Sequence, residues 1–465
     1  MKKLNSISSL SFLIVLYVSR NAIPYVAYPL MVLLLTFTLF QFVNFKNVKQ
    51  ALVKSIRMFF PVILLIIIEL IALFCTAFPF HGRSLDIIKD IFFITTFLFL
   101  LSCHIRSKDD FNLLINKISK YFVLFSIIVS LLGLWKFFYS PDFISYKTVE
   151  GIRGFKWGAS LVADYNFFSL FLLNGLIFGL YTILNSPEKI KYKTLFLLAL
   201  QLIIFIGFLS GSRRYVFCLG FFFIACLLLL IPFLYKKIFS NKISYKYLLI
   251  FLSFSVFNFG IIYSFLSYFP LVSQKAEKLL YIDAHKTDLN VVTVAKRMNS
   301  VASFRFITVR SANQQINDIV DSELVSVTAS RQDLWDLGKK IYAEYSISQK
   351  IFGNGFSFFN TFKQETERFL YPHHLFLSVL LFSGILGLTL YIAILLWSSI
   401  IYLFHLKKLG ALCFIFIINF TFAFFSFTDF FGASFYALLF ILPILYRNLL
   451  INEKKHNIVQ NITKN

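Results

Sequence analysis

The feature that most constrains this chain is a series of apolar blocks, each close to twenty residues long, such as residues 58–80 and 375–404. A helix rises about 1.5 Å per residue, so roughly twenty residues cross a hydrocarbon core about 30 Å thick. Inside a bilayer the backbone must satisfy its hydrogen bonds within each segment, so these blocks are predicted to be helices. The expected fold is an all-α polytopic membrane protein.

Composition agrees with this class. Of the 465 residues, 58% are hydrophobic and 14% are charged, whereas soluble domains carry roughly 25% charged residues. The net charge of +23 is also common in nucleic-acid-binding proteins. Here, however, the basic residues gather in short loops between apolar blocks, as the positive-inside rule describes. We therefore expect membrane lipids and no nucleic acid as partners.

The blocks predict twelve spans. The first is short and rich in serine, so eleven spans is the alternative; it resembles a signal peptide but lacks a cleavage site. Basic loops, such as residues 46–57, lie on the same side as both termini, which predicts cytoplasmic termini. The predicted spans are approximately 6–20, 24–45, 58–80, 87–103, 121–139, 161–184, 194–211, 215–234, 247–270, 374–404, 410–427 and 433–446.

The expected organisation has four parts. Residues 1–270 hold spans one to nine, 271–373 form an extracytoplasmic subdomain, 374–446 hold spans ten to twelve, and 447–465 form a cytoplasmic tail. Within the outer subdomain, Ser330 and Asp333 form a capping-box-like helix start. The helix is predicted to end near Ser348, before the turn at residues 353–355. Its apolar positions at helical spacing are Leu334, Leu337, Ile341 and Tyr345.

Two arginine motifs on the outer side are candidate anion sites. Arg213 and Arg214 follow Gly211-Ser212 at a tight junction between two spans, and their forked donors suit a diphosphate. They are alternatively headgroup anchors for the helix ends. Arg331 lies in the first turn of a predicted helix, where it opposes the helix dipole and a bound anion relieves the conflict. The alternative interpretation of Arg331 is a surface residue that forms an ion pair with Asp333 or Asp336.

A histidine pair follows, in the sequence Tyr371-Pro372-His373-His374. A histidine at a membrane-surface helix start can accept a proton from a sugar hydroxyl near neutral pH. Interfacial histidines without such a role are also common. Adjacent helical side chains point about 100° apart and no acidic or cysteine cluster accompanies them, so we expect no metal and no cofactor.

Together these motifs resemble the O-antigen ligase/polymerase superfamily. The resemblance lies in "SRQDLWDLGKKIYAEYSISQKIFGNGFSFFNTF", "PHHLFLSVLLFSGILGL", "GSRRYVF" and "GIRGFKWGASLVADYNFFSLFLL", and runs from about residue 150 to 390. The family pattern is an arginine four residues before a tryptophan, a Gly-x-Gly turn, a His-Asn pair and a Gly-x-x-Gly span. The corresponding residues here are Arg331, Trp335, Gly353, Gly355, His373, Gly384 and Gly387. The stretch with Arg213 resembles the family's earlier Ser-Arg motif, and Arg153 and Asn166 match its Arg-x-Gly stretch and the asparagine-containing span that follows.

The resemblance implies a type C glycosyltransferase-like fold and a role for each matched residue. Arg213 and Arg331 would hold the diphosphate of an undecaprenyl-diphosphate-linked glycan, and His373 would activate the acceptor hydroxyl. Arg214 and Arg153 are further candidates for anion contacts, and Trp335 for substrate binding. His374 replaces the family's usual asparagine, which leaves open which histidine is catalytic. The implied reaction is a metal-independent, inverting displacement at the outer face of a bacterial inner membrane.

The sequence leaves alternatives for the acceptor of the glycan and for the class of function. The histidine motif favours a ligase that transfers the glycan to lipid A-core; a repeat-unit polymerase and a protein glycosyltransferase of the same family are the alternatives. A transporter or flippase of lipid-linked glycan is the alternative from another class. It rests on Glu69, because a mid-span carboxylate is costly and often functional; a structural role is the other interpretation of this residue.

Overall fold

The computed structural model describes residues 2–20, 24–42, 48–74, 82–139, 158–162, 165–185, 190–235, 245–280, 331–366, 371–424 and 440–453. Every regular element in these ranges is an α-helix. The first ten are α1 (Lys2–Ser19), α2 (Pro24–Phe42), α3 (Val48–Met58), α4 (Phe60–Phe74), α5 (Gly82–His104), α6 (Lys108–Tyr139), α7 (Tyr165–Asn185), α8 (Ile190–Leu209), α9 (Arg213–Tyr235) and α10 (Tyr245–Leu280). The others are α11 (Arg331–Glu344), α12 (Ile347–Phe352), α13 (Phe358–Thr366), α14 (Leu375–Phe404), α15 (Leu406–Phe424) and α16, which includes residues 440–453.

Within these ranges, five helices are long and apolar enough to cross a membrane, and a sixth candidate is the bent pair α3–α4. The five lie in α5, α6, α7, α10 and α14, at predicted spans four, five, six, nine and ten. Shorter apolar helices occupy α1, α2, α8 and α15. The architecture is compatible with an α-helical membrane protein.

The chain divides into two compact units. Unit 1 comprises residues 1–14, 33–115 and 326–465, and unit 2 comprises residues 15–32 and 116–325. In unit 1, α14 packs on α4, α11, α12 and α15. In unit 2, α7 packs on α8, α9 and α10. Each unit holds its own subset of the sequence motifs.

Three local features differ from the sequence expectations. The predicted loop at residues 46–57 is largely helix α3, which meets α4 at 90° around Phe59. Helix α11 ends at Glu344 rather than near Ser348, because Ser346 caps a second helix, α12, by accepting from the Gln349 N–H. The tenth span is interrupted at Gly384, whose φ is 67°.

Candidate functional site

Helix α11 carries the arginine and the tryptophan of the Arg331–Trp335 motif. Arg331 is its first residue, and Trp335 follows one turn later. Leu334, Ile341 and Tyr345 are buried, as their spacing predicted. The predicted helix start at Ser330 and the candidate anion contact Arg153 lie outside the described residues. The structure therefore places Arg331 at the start of α11 and describes the contacts of the Trp335 side chain.

Trp335 contacts the second histidine. The Trp335 and His374 rings meet edge to face with their centroids 5.2 Å apart. The Trp335 Nε1–H is buried and finds no acceptor among the described residues. Gly338, one turn along α11, allows the approach: a Cβ there would lie 2.8 Å from Leu377 Cδ2. The tryptophan motif and the histidine motif are thus joined in unit 1.

The two histidines have different local roles. His374 is the N-cap of α14, and its Nδ1 accepts from the Leu377 N–H at 3.3 Å. Because a backbone amide can only donate, Nδ1 must keep its lone pair, and the neutral ring carries its proton on Nε2. Burial lowers the pKa of His374, which favours the same neutral form. His374 is therefore well suited to donate from Nε2 and poorly suited to accept a proton there.

His373 has an unusual backbone. Its φ of 52° makes it the one non-glycine residue in the described ranges with a positive φ. Such a conformation is uncommon outside glycine, although histidine tolerates it better than bulky apolar residues do. Its ring is half-buried and packs on Tyr371, with the ring centroids 4.1 Å apart. The two ring planes are inclined at 52°, and the buried Pro372 lies between the two residues in sequence.

The glycine turn closes the break in α14. The Gly355 N–H donates to the Phe382 carbonyl at 3.0 Å, and the Asn354 N–H donates to the Leu381 carbonyl at 3.3 Å. The Tyr345 hydroxyl also donates to the Leu381 carbonyl, at 3.3 Å. A helix break leaves carbonyls without their usual partners, and here the turn supplies them. The Gly-x-Gly and Gly-x-x-Gly motifs are therefore two sides of one contact.

Unit 2 contains the earlier motifs, and two of them meet. The Ser212 hydroxyl donates to Asn166 Oδ1 at 2.9 Å, which joins the start of α9 to the start of α7. Arg213, like Arg331, is the first residue of its helix. The residue is half-buried, and its buried Nε has no hydrogen-bond partner among the described residues. The half-buried Arg214 follows on α9.

The same region contains a buried lysine, Lys136, which the sequence analysis did not select. Lys136 Nζ donates to the Ser160 carbonyl at 2.6 Å and to the Gly158 carbonyl at 3.0 Å. The Ala159 N–H donates in turn to the Leu209 carbonyl at 2.9 Å. The only sequence signal was one lysine close to the end of an apolar helix, a position that equally suits a headgroup anchor.

In the described ranges, no group of three or more His, Cys, Asp and Glu side chains is arranged to hold a metal ion. Asp336, one of the two acids considered for Arg331, accepts from Lys339 at 2.9 Å and from Gln332 at 3.2 Å. These hydrogen bonds, with that from Lys339 the stronger influence, lower the pKa of Asp336.

Neither a scan of protein-family models nor a search of curated proteins returned a match to this chain. The roles of the clustered side chains are accordingly proposals argued from their chemistry.

Proposed function

We propose that this chain is a membrane glycosyltransferase that transfers a glycan from an undecaprenyl-diphosphate carrier to an acceptor hydroxyl. The observation that carries the proposal is the contact between Trp335 and His374. It brings the arginine-tryptophan helix against the histidine motif, as a shared site for donor and acceptor requires. The same unit joins the two glycine motifs of the family pattern.

The reaction is a single displacement. The acceptor oxygen attacks the anomeric carbon as the bond from that carbon to the diphosphate oxygen breaks, so the configuration inverts. The hydroxyl proton passes to a base, and the leaving electron pair stays on the carrier diphosphate. Fixed cations stabilise the charge that develops on the leaving group.

Among the two histidines, His373 is the better candidate for the base. The His374 Nδ1 lone pair already accepts the Leu377 N–H, so this ring has a structural task. Its asparagine counterpart in the family pattern can cap a helix in the same way. Histidine in place of asparagine at position 374 therefore keeps the helix cap. The general-base role falls to His373.

Arg331 and Arg213 are the proposed diphosphate ligands. Each begins a helix, where a cation opposes the positive end of the helix dipole by about 0.3–1 kcal/mol. A bound diphosphate removes this conflict and accepts bidentate hydrogen bonds from arginine. Arg214 and Arg153 are proposed as auxiliary anion contacts, and Trp335 as a substrate-contacting ring.

The finer architecture belongs to the same proposal. Twelve spans, cytoplasmic termini and a periplasmic subdomain in a bacterial inner membrane would carry the site at the outer leaflet, where the carrier presents its glycan. We favour lipid A-core as acceptor, with a growing glycan in a repeat-unit polymerase as the runner-up.

Transport of the lipid-linked glycan is the second candidate, and Glu69 is the observation in its favour. Its carboxylate is 0% exposed within α4, near the point where Ile68 packs against Gly387 of α14. Buried carboxylates in spanning helices often act in transport. Glu69→Gln would abolish a transport activity, whereas a glycosyl transfer that depends on His373 would survive this substitution.

The test is the surface-glycan profile of a deletion strain on a gel. Loss of all glycan from the lipid core indicates a ligase, and a core that carries one repeat unit indicates a polymerase. Normal lipopolysaccharide with unglycosylated protein indicates a protein glycosyltransferase. Complementation should fail with Arg331→Ala and succeed with Lys340→Ala, an exposed cation on the same helix. Full complementation by Arg331→Ala, at equal expression, would contradict the proposal.

A further inference from the structure

Helix α3 has the form of a helix that lies along a membrane surface. It meets the apolar helix α4 at 90°, so the two cannot both run along the membrane normal. Leu52 and Ile56 lie one turn apart on its apolar side and are 49% and 41% exposed. Lys54 and Arg57 project from its polar side and are also exposed. The exposed Lys49 lies at the border of the two sides, because it precedes Leu52 by three residues. Such a division of faces is typical of interfacial helices.

The polar side of α3 borders an open cavity of about 660 Å³ in unit 1. This volume falls in the range of roughly 300–1,000 Å³ that small-molecule sites occupy. Three cations line it, namely Lys49, Lys54 and Arg57, and Asn448 and Asn452 of α16 provide amide groups opposite. Among the described residues that line it, none has an acidic side chain.

The walls of this cavity are held by specific contacts. Asn448 Nδ2 donates to the Met58 carbonyl at 2.9 Å, which fixes α16 against the bend between α3 and α4. Lys54 Nζ donates to the Ser102 carbonyl at 2.9 Å, at the end of α5. Lys108, at the start of α6, forms an ion pair with Glu453 at the end of α16. These contacts hold α3 against α5 and α16 around the cavity that the three cations line.

We propose that this cavity binds the phosphate headgroup of an anionic glycerophospholipid in the cytoplasmic leaflet. Arg57 and Lys49 supply charge-assisted hydrogen bonds to the phosphate oxygens, and the asparagine amides suit a glycerol headgroup. The charge distribution of the chain puts α3 on the cytoplasmic side, where anionic lipids attract clustered cations.

A lipid explains more of the structure than a free anion does. Leu52 and Ile56 expose apolar surface beside the cationic face, and Phe60 continues that surface at the start of α4 with 57% exposure. A free phosphate would use the cations only. A phospholipid uses both surfaces, with its headgroup on the cations and its acyl chains along the apolar residues. This inference does not depend on the proposed transferase activity.

The test is lipid retention by the purified full-length chain, measured by native mass spectrometry after exchange into equal amounts of phosphatidylglycerol and phosphatidylcholine. We expect preferential retention of phosphatidylglycerol, with its affinity reduced about fivefold for each of Lys49→Gln and Arg57→Gln. The matched control Lys340→Gln/Lys350→Gln/Lys363→Gln removes three cations of unit 1 elsewhere and should keep the preference.

Two measurements on the unmodified protein keep the test independent of how the variants fold. Equal retention of the two lipids would overturn the proposal. So would displacement of phosphatidylglycerol by inorganic phosphate at matched concentration, which would indicate a site for a free anion. An unchanged preference in the Lys49→Gln/Arg57→Gln double variant would contradict the assigned residues.

Discussion

Gly353 and Gly384 face each other so closely that neither position has room for a side chain. A Cβ built on Gly384 would lie 2.5 Å from the Gly353 nitrogen, and one built on Gly353 would overlap the Phe382 carbonyl. Both residues have a positive φ, 84° at Gly353 and 67° at Gly384. The contact holds the turn at residues 353–355 against the break in α14, ten residues after the histidine pair ends.

Substitution at either glycine should destabilise the fold. We expect Gly353→Ala and Gly384→Ala to lower the free energy of unfolding by about 1–3 kcal/mol, from overpacking and backbone strain. Gly410→Ala in α15 is the matched control, since a Cβ there meets nothing within 4 Å. Thermal unfolding in detergent measures the difference. A Gly384→Ala protein as stable as the control would show that the contact is not formed.

The cap of α14 predicts different effects of two substitutions at His374. His374→Ala removes the acceptor for the Leu377 N–H and should cost about 1 kcal/mol. His374→Asn retains a side-chain acceptor and should recover most of this loss. Thermal unfolding of the two variants beside the unmodified protein provides the comparison. Equal losses from both substitutions would argue against capping by His374.

The same histidine predicts a pH dependence. Burial lowers the pKa of His374 from its ordinary value of 6.5, so below that value the unfolded chain binds the proton more readily. Its contribution is therefore constant above pH 6.5 and is lost as pH falls through the lowered pKa. The measurement is the difference in unfolding temperature between the unmodified protein and His374→Asn, from about pH 7.5 to about pH 5. A difference that grows as pH rises above neutrality would have the wrong sign.

Lys136 should be essential to the loop before α7. Lys136→Met leaves the Gly158 and Ser160 carbonyls without their charged donor and should cost about 1.5–3 kcal/mol. Lys120→Met, at an exposed position of the same helix, should change stability far less. Chemical unfolding of the two variants distinguishes the buried lysine from an exposed one. Equal effects would place Lys136 among ordinary surface cations.

The sequence predicts the helices well because hydrophobic spacing is a local property. The apolar face of α11 follows directly from residues at helical spacing. Three of the four predicted positions are buried, namely Leu334, Ile341 and Tyr345, which directly follows the helix. The broken helices are different. The break at Gly384 depends on donors from Asn354 and Gly355, which are distant in sequence, and no local pattern contains that information.

For the candidate site, the sequence predicted which residues to select but not how they pair. The motif residues could be selected from the sequence, but their pairings could not, because the Ser212–Asn166 and Trp335–His374 contacts are tertiary. The spacing of the histidines also could not separate their roles. His374 became distinguishable from His373 only through its hydrogen bond to the Leu377 N–H.

The most direct test of the transferase account is glycan transfer by the purified protein in lipid nanodiscs, with a labelled undecaprenyl-diphosphate-linked donor and a lipid A-core acceptor. We predict transfer by the unmodified chain, a loss of about 10²–10⁴-fold in His373→Ala, as for removal of a general base, and near-normal transfer by His374→Asn. Undiminished transfer by His373→Ala, with the protein folded and the donor consumed, would contradict the account.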